Sequence, residues 1–295
     1  MTSNYVNYKQ FDPAKLTIGT IDVKSIPEAK GQSYRSINLI YNYGTDDKPV
    51  FDQLLLEYPP VKSREGIRRE ETFNKVSYSI GARFDGSPES TAFLDKLNMA
   101  YNVLAQQLMA NRSQVGIPDL KKDNVLVYFK NPVYTPLDPQ TGEPIPGRFP
   151  SCFLKLLHGS FSKTLFTDLD AKPIDWKLLD KVEMEYQPLV QWSHIYSGSG
   201  KIRLQQKVLS AIVTRAVAIN TETLQLKTIE DIKEKQPDKI EQIRQQMAKL
   251  KTRTLDAPEE QLTEDTEDTI SMINGTAKPY GFGKTGGSPV SLSFN

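Results

Sequence analysis

Residues 186–208 read YQPLVQWSHIYSGSGKIRLQQKV, two runs of period-two alternation around a Ser-Gly-Ser-Gly turn. That pattern is the signature of a β-hairpin. A two-residue turn at Gly198-Ser199 predicts Tyr196 opposite Lys201, His194 opposite Arg203, Trp192 opposite Gln205 and Val190 opposite Lys207. Successive residues of a strand point to opposite sides of the sheet, so this register gives the hairpin an apolar back containing Leu189, Ile195, Ile202, Leu204 and Val208. Its front carries Trp192, His194, Tyr196, Lys201, Arg203 and Lys207. Flat rings and positive charges on one surface are what single-stranded nucleic acid requires. The same cross-strand pairs also stabilise ordinary exposed hairpins, by roughly 0.2–1 kcal/mol each. Taken alone, the hairpin favours that ordinary reading.

Outward from this ribbon, many short strands and a single clear helix are expected. Residues 15–24 form a bent strand with a bulge at Gly19, and 33–43 and 50–58 are further strands. The segment 61–72 carries Lys62, Arg64, Arg68 and Arg69 without apolar rhythm and reads as a charged loop or irregular edge. In 73–84, Val76, Tyr78, Ile80, Ala82 and Phe84 point inward and Phe73, Lys75, Ser77, Ser79 and Arg83 outward. Ser87 as cap, Pro88 at the first helical position and Phe93, Leu97, Ala100, Tyr101, Leu104 and Leu108 at helical spacing predict a helix over 87–112. Strand character returns at 125–133, 152–158, 165–166 and 173–179, and the second arm of the hairpin continues over 209–219. The stretch 131–150 holds six prolines and reads as a stiff protruding loop.

Together these elements predict a mainly β, α+β domain over 1–220: an OB-like small barrel with one inserted helix. An amphipathic helical extension over 221–253, with Ile240, Ile243, Met247 and Leu250 at coiled-coil spacing, and a disordered acidic tail over 254–295 complete the expected organisation. Such a helix could make a homo-oligomer or cover the body. Seven carboxylates and no base between Thr254 and Ala277 could form a solvated tail that keeps the protein soluble, occupy a polyanion site, or recruit replication or virion proteins.

The chain has 295 residues, 38% of them hydrophobic and 25% charged, with a formal net charge of +1. A sizeable core is within reach, but the charge balance alone does not imply nucleic acid. No run is long enough for a helical membrane span, no signal peptide is expected, and the single cysteine, Cys152, excludes an internal disulfide. Two histidines, His158 and His194, lie on different predicted strands without carboxylates at ligand spacing, so neither a metal centre nor a catalytic site is expected. Gly283-Lys284-Thr285 fails as a phosphate loop because Lys278 stands where that motif needs glycine.

Three stretches taken in order, IRREETFNKVSYSIGARF (67–84), GRFPSCFLKLLHGSFSKTLFTDLDAKPI (147–174) and VQWSHIYSGSGKIRLQQKVLSAIV (190–213), resemble the single-stranded-DNA-binding proteins of the nucleocytoplasmic large DNA viruses, of the poxvirus and asfarvirus type. The likeness spans roughly residues 15–220. It implies an OB-like barrel that coats single-stranded DNA in viral DNA replication without a cofactor, in the host cytoplasm or nucleus. Carried onto matching positions, it implies nucleic-acid contacts from Phe73, Lys75, Arg83, Lys155, Trp192, Tyr196, Lys201 and Arg203. The tail after Thr254 is a departure. A virion structural or scaffold protein using the same faces for protein contacts is the competing reading.

Overall fold

The long hairpin is the spine of the computed structural model, which describes residues 5–25, 32–72, 75–159 and 163–218. Its strands come last in a series of twelve. They are β1 (Val6–Asn7), β2 (Leu16–Ser25), β3 (Ser33–Asn42), β4 (Phe51–Asp52), β5 (Leu54–Glu57), β6 (Val61–Ser63), β7 (Ile67–Thr72), β8 (Lys75–Arg83), β9 (Ser151–Leu156), β10 (Leu165–Thr167), β11 (Val182–Gly198) and β12 (Lys201–Ala218). Helices α1 (Pro88–Ala110), α2 (Arg112–Val115) and α3 (Val125–Tyr128) lie between β8 and β9.

Five of the strands close on themselves. β6 pairs with β8, β8 with β9 and β11 with both β6 and β12, all antiparallel, while β9 runs parallel to β12. In chain order the ring is first–second–third–fifth–fourth, with its one parallel pair between third and fifth. This is the Greek-key closure of an OB barrel, so the mainly β, OB-like architecture expected from sequence is present. β11 outruns the barrel: beyond it, β3 pairs with residues 194–197, and β2 and β4 flank β3 to form a second layer.

One continuous core fills the space between these layers and α1. Ile80, Ala82, Leu154, Tyr186, Val190 and Val208 are all fully or nearly fully buried, as are Phe93, Leu97, Ala100, Tyr101, Leu104 and Leu108 of the helix. Ser87 caps α1, accepting from the Ser90 N–H at 3.2 Å, and Pro88 follows it. Gln107 reaches from α1 to the open edge of β2. Its carbonyl accepts from the Ile18 N–H at 2.7 Å, and its amide donates to Leu16 O at 2.9 Å.

Several local expectations are corrected. Residues 61–72 are strands β6 and β7: Val61 and Ser63 are buried on either side of exposed Lys62, and in β7, paired only with β8 among the described residues, Ile67 is buried while Arg69, Glu70 and Glu71 are exposed. The segment 125–133 begins as the short helix α3, and 173–179 ends in a 3-10 turn over Trp176–Leu179. The bulge expected at Gly19 is present, as a register shift in β2 between Ile18 and Ile21. The expected helical extension and acidic tail, and Phe73, lie outside the described residues.

The hairpin register also differs. Its turn is Ser199-Gly200, at φ 49° and 70°, so Gly198 faces Lys201 and Tyr196 faces Arg203. Both central residues are left-handed, as a type I′ turn demands. Further along, β11 carries an extra residue between Trp192 and Ile195. That bulge switches the inward set from even to odd numbers: Val182, Met184, Tyr186, Val190 and Trp192 point inward before it, and Ile195 after it.

Candidate nucleic-acid interface

Outward-facing residues of the barrel follow directly from this register. Directly opposed residues share a face. The pairs Lys62–Arg83–Ser151, Gly81–Phe153 and Arg68–Ser79–Lys155–Lys207 therefore form three successive rows across β6, β8, β9 and their neighbours β7 and β12. The inward partners on the same strands, Ile80, Ala82, Cys152 and Leu154, are buried.

Within these rows lies a cleft of about 410 Å³, lined by Lys62, Arg64, Arg68, Arg83 and Arg148 against one acid, Glu65. Two phenyl rings stand in it. Phe153 is 59% exposed and Phe149 37%. Each carries a guanidinium over its face: Arg68 at 5.7 Å from the Phe153 centroid and Arg83 at 5.6 Å from that of Phe149. Such contacts hold ring and charge together, leaving the cleft as an alternation of π-surface and cation. Gly81 forms part of the floor opposite Phe153. A Cβ there would make ordinary contact with Phe153 Cε1 at 3.7 Å and Ser63 Oγ at 3.8 Å, so the Phe153 ring lies over bare backbone.

Not all of the positive charge is unbalanced. Lys62 pairs with Glu185 at 3.0 Å, and Arg68 lies 3.6 Å from Glu70. Both acids are at the margins of the cleft rather than among its lining residues, so the interior remains basic. Beneath the floor, burial pushes the Cys152 thiol up to about 12, which makes it a packing residue rather than a nucleophile at neutral pH. Among the described residues, no group of three His, Cys, Asp or Glu could hold a metal ion.

Of the residues singled out from sequence, Arg83 and Lys155 lie on this outer face, two rows apart. Lys201 and Arg203 are exposed and share the face of β12 with Lys207. They sit toward the hairpin tip, about 20 Å (Lys201) and about 13 Å (Arg203) from Lys207 at the ordinary rise of a strand. Lys75 occupies the start of β8, opposite Thr72.

Trp192 and Tyr196 require correction, because neither is on the surface. Trp192 is fully buried, packed edge-on against Phe11 and Tyr101, with its indole N–H donating to Tyr58 Oη at 3.2 Å. Tyr196, 4% exposed, lies against Tyr34 at a centroid distance of 5.2 Å and over Gly198, where any Cβ would strike its ring.

Phe149, Phe153, Lys62, Arg64, Arg68 and Arg148 are the rings and bases of the cleft that sequence reasoning did not select. For Phe153 the signal was available: it alternates with the apolar, inward Cys152 and Leu154, at the same parity as Ser151 and Lys155. Arg148 and Phe149 carry none, since a proline-rich connection reveals its docking site only in three dimensions.

No family model matches the chain, and no curated protein matches it in sequence. Among solved structures, it is similar to the single-stranded DNA binding protein gp2.5 encoded by bacteriophage T7. The two share 8% identity and a TM-score of 0.35, over 58% of this chain and 91% of that one. A single-stranded DNA-binding protein from bacteriophage Enc34 is similar at 7% identity and a TM-score of 0.30, over 66% of this chain and 89% of that one. Likenesses this remote assign no role to any residue.

Proposed function

We propose that the chain binds single-stranded DNA without sequence preference, through the cleft on β6, β8 and β9, and that it does so in the DNA replication of a large DNA virus of the poxvirus and asfarvirus type. The observation that carries the reading is the cleft itself: five bases and two exposed phenyl rings interleaved on the outer face of an OB barrel. Exposed rings offer every base a π-face, worth about 1–3 kcal/mol per stacked base, while the guanidinium groups neutralise phosphates. The second-to-third-strand face is also where OB barrels take oligonucleotides. Lys155 and Lys207 extend the surface along β9 and β12, and Lys201 and Arg203 continue it toward the hairpin tip. A duplex hides its base faces and is a poorer ligand for such a surface. Nothing in this reading calls for a cofactor or a catalytic group.

Titration with oligo-dT and with duplex DNA at several salt concentrations tests it. Arg64→Ala with Arg148→Ala should lower the slope of log affinity against log salt by about 0.7 for each phosphate no longer neutralised. Phe153→Ala should weaken binding with the slope unchanged. A protein that ignores oligo-dT, yet self-associates in sedimentation, would be the structural or scaffold protein instead.

A further inference from the structure

The proline-rich segment 131–150 does not protrude freely. Tyr134 and Ser151 exchange both backbone hydrogen bonds, Tyr134 N–H to Ser151 O at 2.7 Å and Ser151 N–H to Tyr134 O at 2.9 Å. The segment thereby adds a short antiparallel step beside β9. Since opposed residues present their side chains to one face, Tyr134 becomes the outermost member of the row Lys62–Arg83–Ser151. It is 63% exposed. Phe153, two residues along β9 from Ser151, is its diagonal neighbour, about 7–8 Å away on a regular sheet. Pro136, two residues on from Tyr134, already lines the cleft. Tyr134 thus stands at the rim, one step from the most exposed ring inside.

This position is built rather than incidental. Arg83 Nη2 donates to Gly147 O at 3.4 Å while its guanidinium covers Phe149, and the Phe84 N–H donates to Pro150 O at 3.0 Å. Within the arm, the Asp138 N–H donates to Glu143 O at 2.7 Å and the Ile145 N–H to Pro136 O at 3.0 Å. With proline fixing much of the remaining backbone, little ordering is left to be done when a ligand arrives.

We infer that Tyr134 is a nucleobase-stacking residue, taking the base next to the one on Phe153, so that the proline-rich arm is part of the binding surface and not merely a connection. The inference rests on the single-strand reading above and names a residue that reading does not need.

The test compares wild type, Tyr134→Ala, Tyr134→Phe and Tyr134→Trp in the full chain. Affinity of Tyr134→Ala for oligo-dT should fall about 5- to 150-fold, the range for loss of one stacked base. Its salt slope and melting temperature should stay those of wild type. Tyr134→Phe should bind like wild type, because the ring and not the hydroxyl does the stacking. In Tyr134→Trp the new indole should be quenched on adding oligo-dT. Wild-type affinity in Tyr134→Ala, or a loss as large in Tyr134→Phe, overturns the assignment of Tyr134 while leaving the cleft reading in place. Absence of oligo-dT binding by wild type overturns both.

Discussion

At the scale of single residues, Trp192 shows how a polar handle allows a large ring to be fully buried. Its indole N–H finds Tyr58 Oη, and Phe11 and Tyr101 pack against it edge-on. Removing it leaves a cavity that these rings cannot collapse into, and Trp192→Ala should cost about 3–5 kcal/mol. For a body of this size that is a fall in melting temperature of roughly 6–20 °C. A loss of DNA affinity without loss of stability would instead return Trp192 to the surface. Tyr101 tells the complementary story: its hydroxyl is buried without a hydrogen-bond partner among the described residues. Burial holds the phenol well above its ordinary pKa, so the group stays neutral at any physiological pH.

At the scale of elements, the open edge of β2 is covered by a side chain rather than a strand. Gln107 offers one donor and one acceptor, as a neighbouring peptide would, to Leu16 and Ile18. Without it these backbone groups depend on water, and edges of this kind invite pairing with other chains. Gln107→Ala should therefore lower stability by about 1–3 kcal/mol in chemical denaturation, whereas an unchanged midpoint would mean that solvent replaces the amide. Helix α1 was legible in the sequence down to its cap, because Ser87, Pro88 and the apolar stripe are local signals that no tertiary contact overrides. The hairpin was legible as an element but not in register. A turn read at Gly198-Ser199 rather than Ser199-Gly200 shifts every pair, and the three irregularities depend on which partners β11 meets along its length. Strands β6 and β7 were hidden by their charges. Two of those charges, Lys62 and Arg68, line the cleft, so the feature that argued against a strand is the one that supports a site.

At the scale of the whole molecule, closure of the barrel gathers several ionisable groups into one dry interior. Burial pushes the Cys152 thiol up to about 12 from 9.0, and holds the hydroxyls of Tyr58, Tyr101 and Tyr186 well above 10.0. In the unfolded chain these groups ionise at their ordinary values. As pH rises past 9 the unfolded state therefore loses protons that the folded state keeps, and linkage moves stability toward the unfolded side. The contribution is intact below the unfolded values and declines as pH climbs toward the folded ones. Denaturation midpoints measured from pH 8 to 11 should fall steadily. Surface lysines also lose charge in the upper part of that range, so Cys152→Ala supplies the control. It removes the lowest of the unfolded-state values and should flatten the fall between about pH 9 and 10 while leaving the later, tyrosine-dependent fall in place. If Cys152→Ala and wild type decline in parallel from pH 9, the thiol is solvated in the native state and the floor of the cleft is open beneath Phe153.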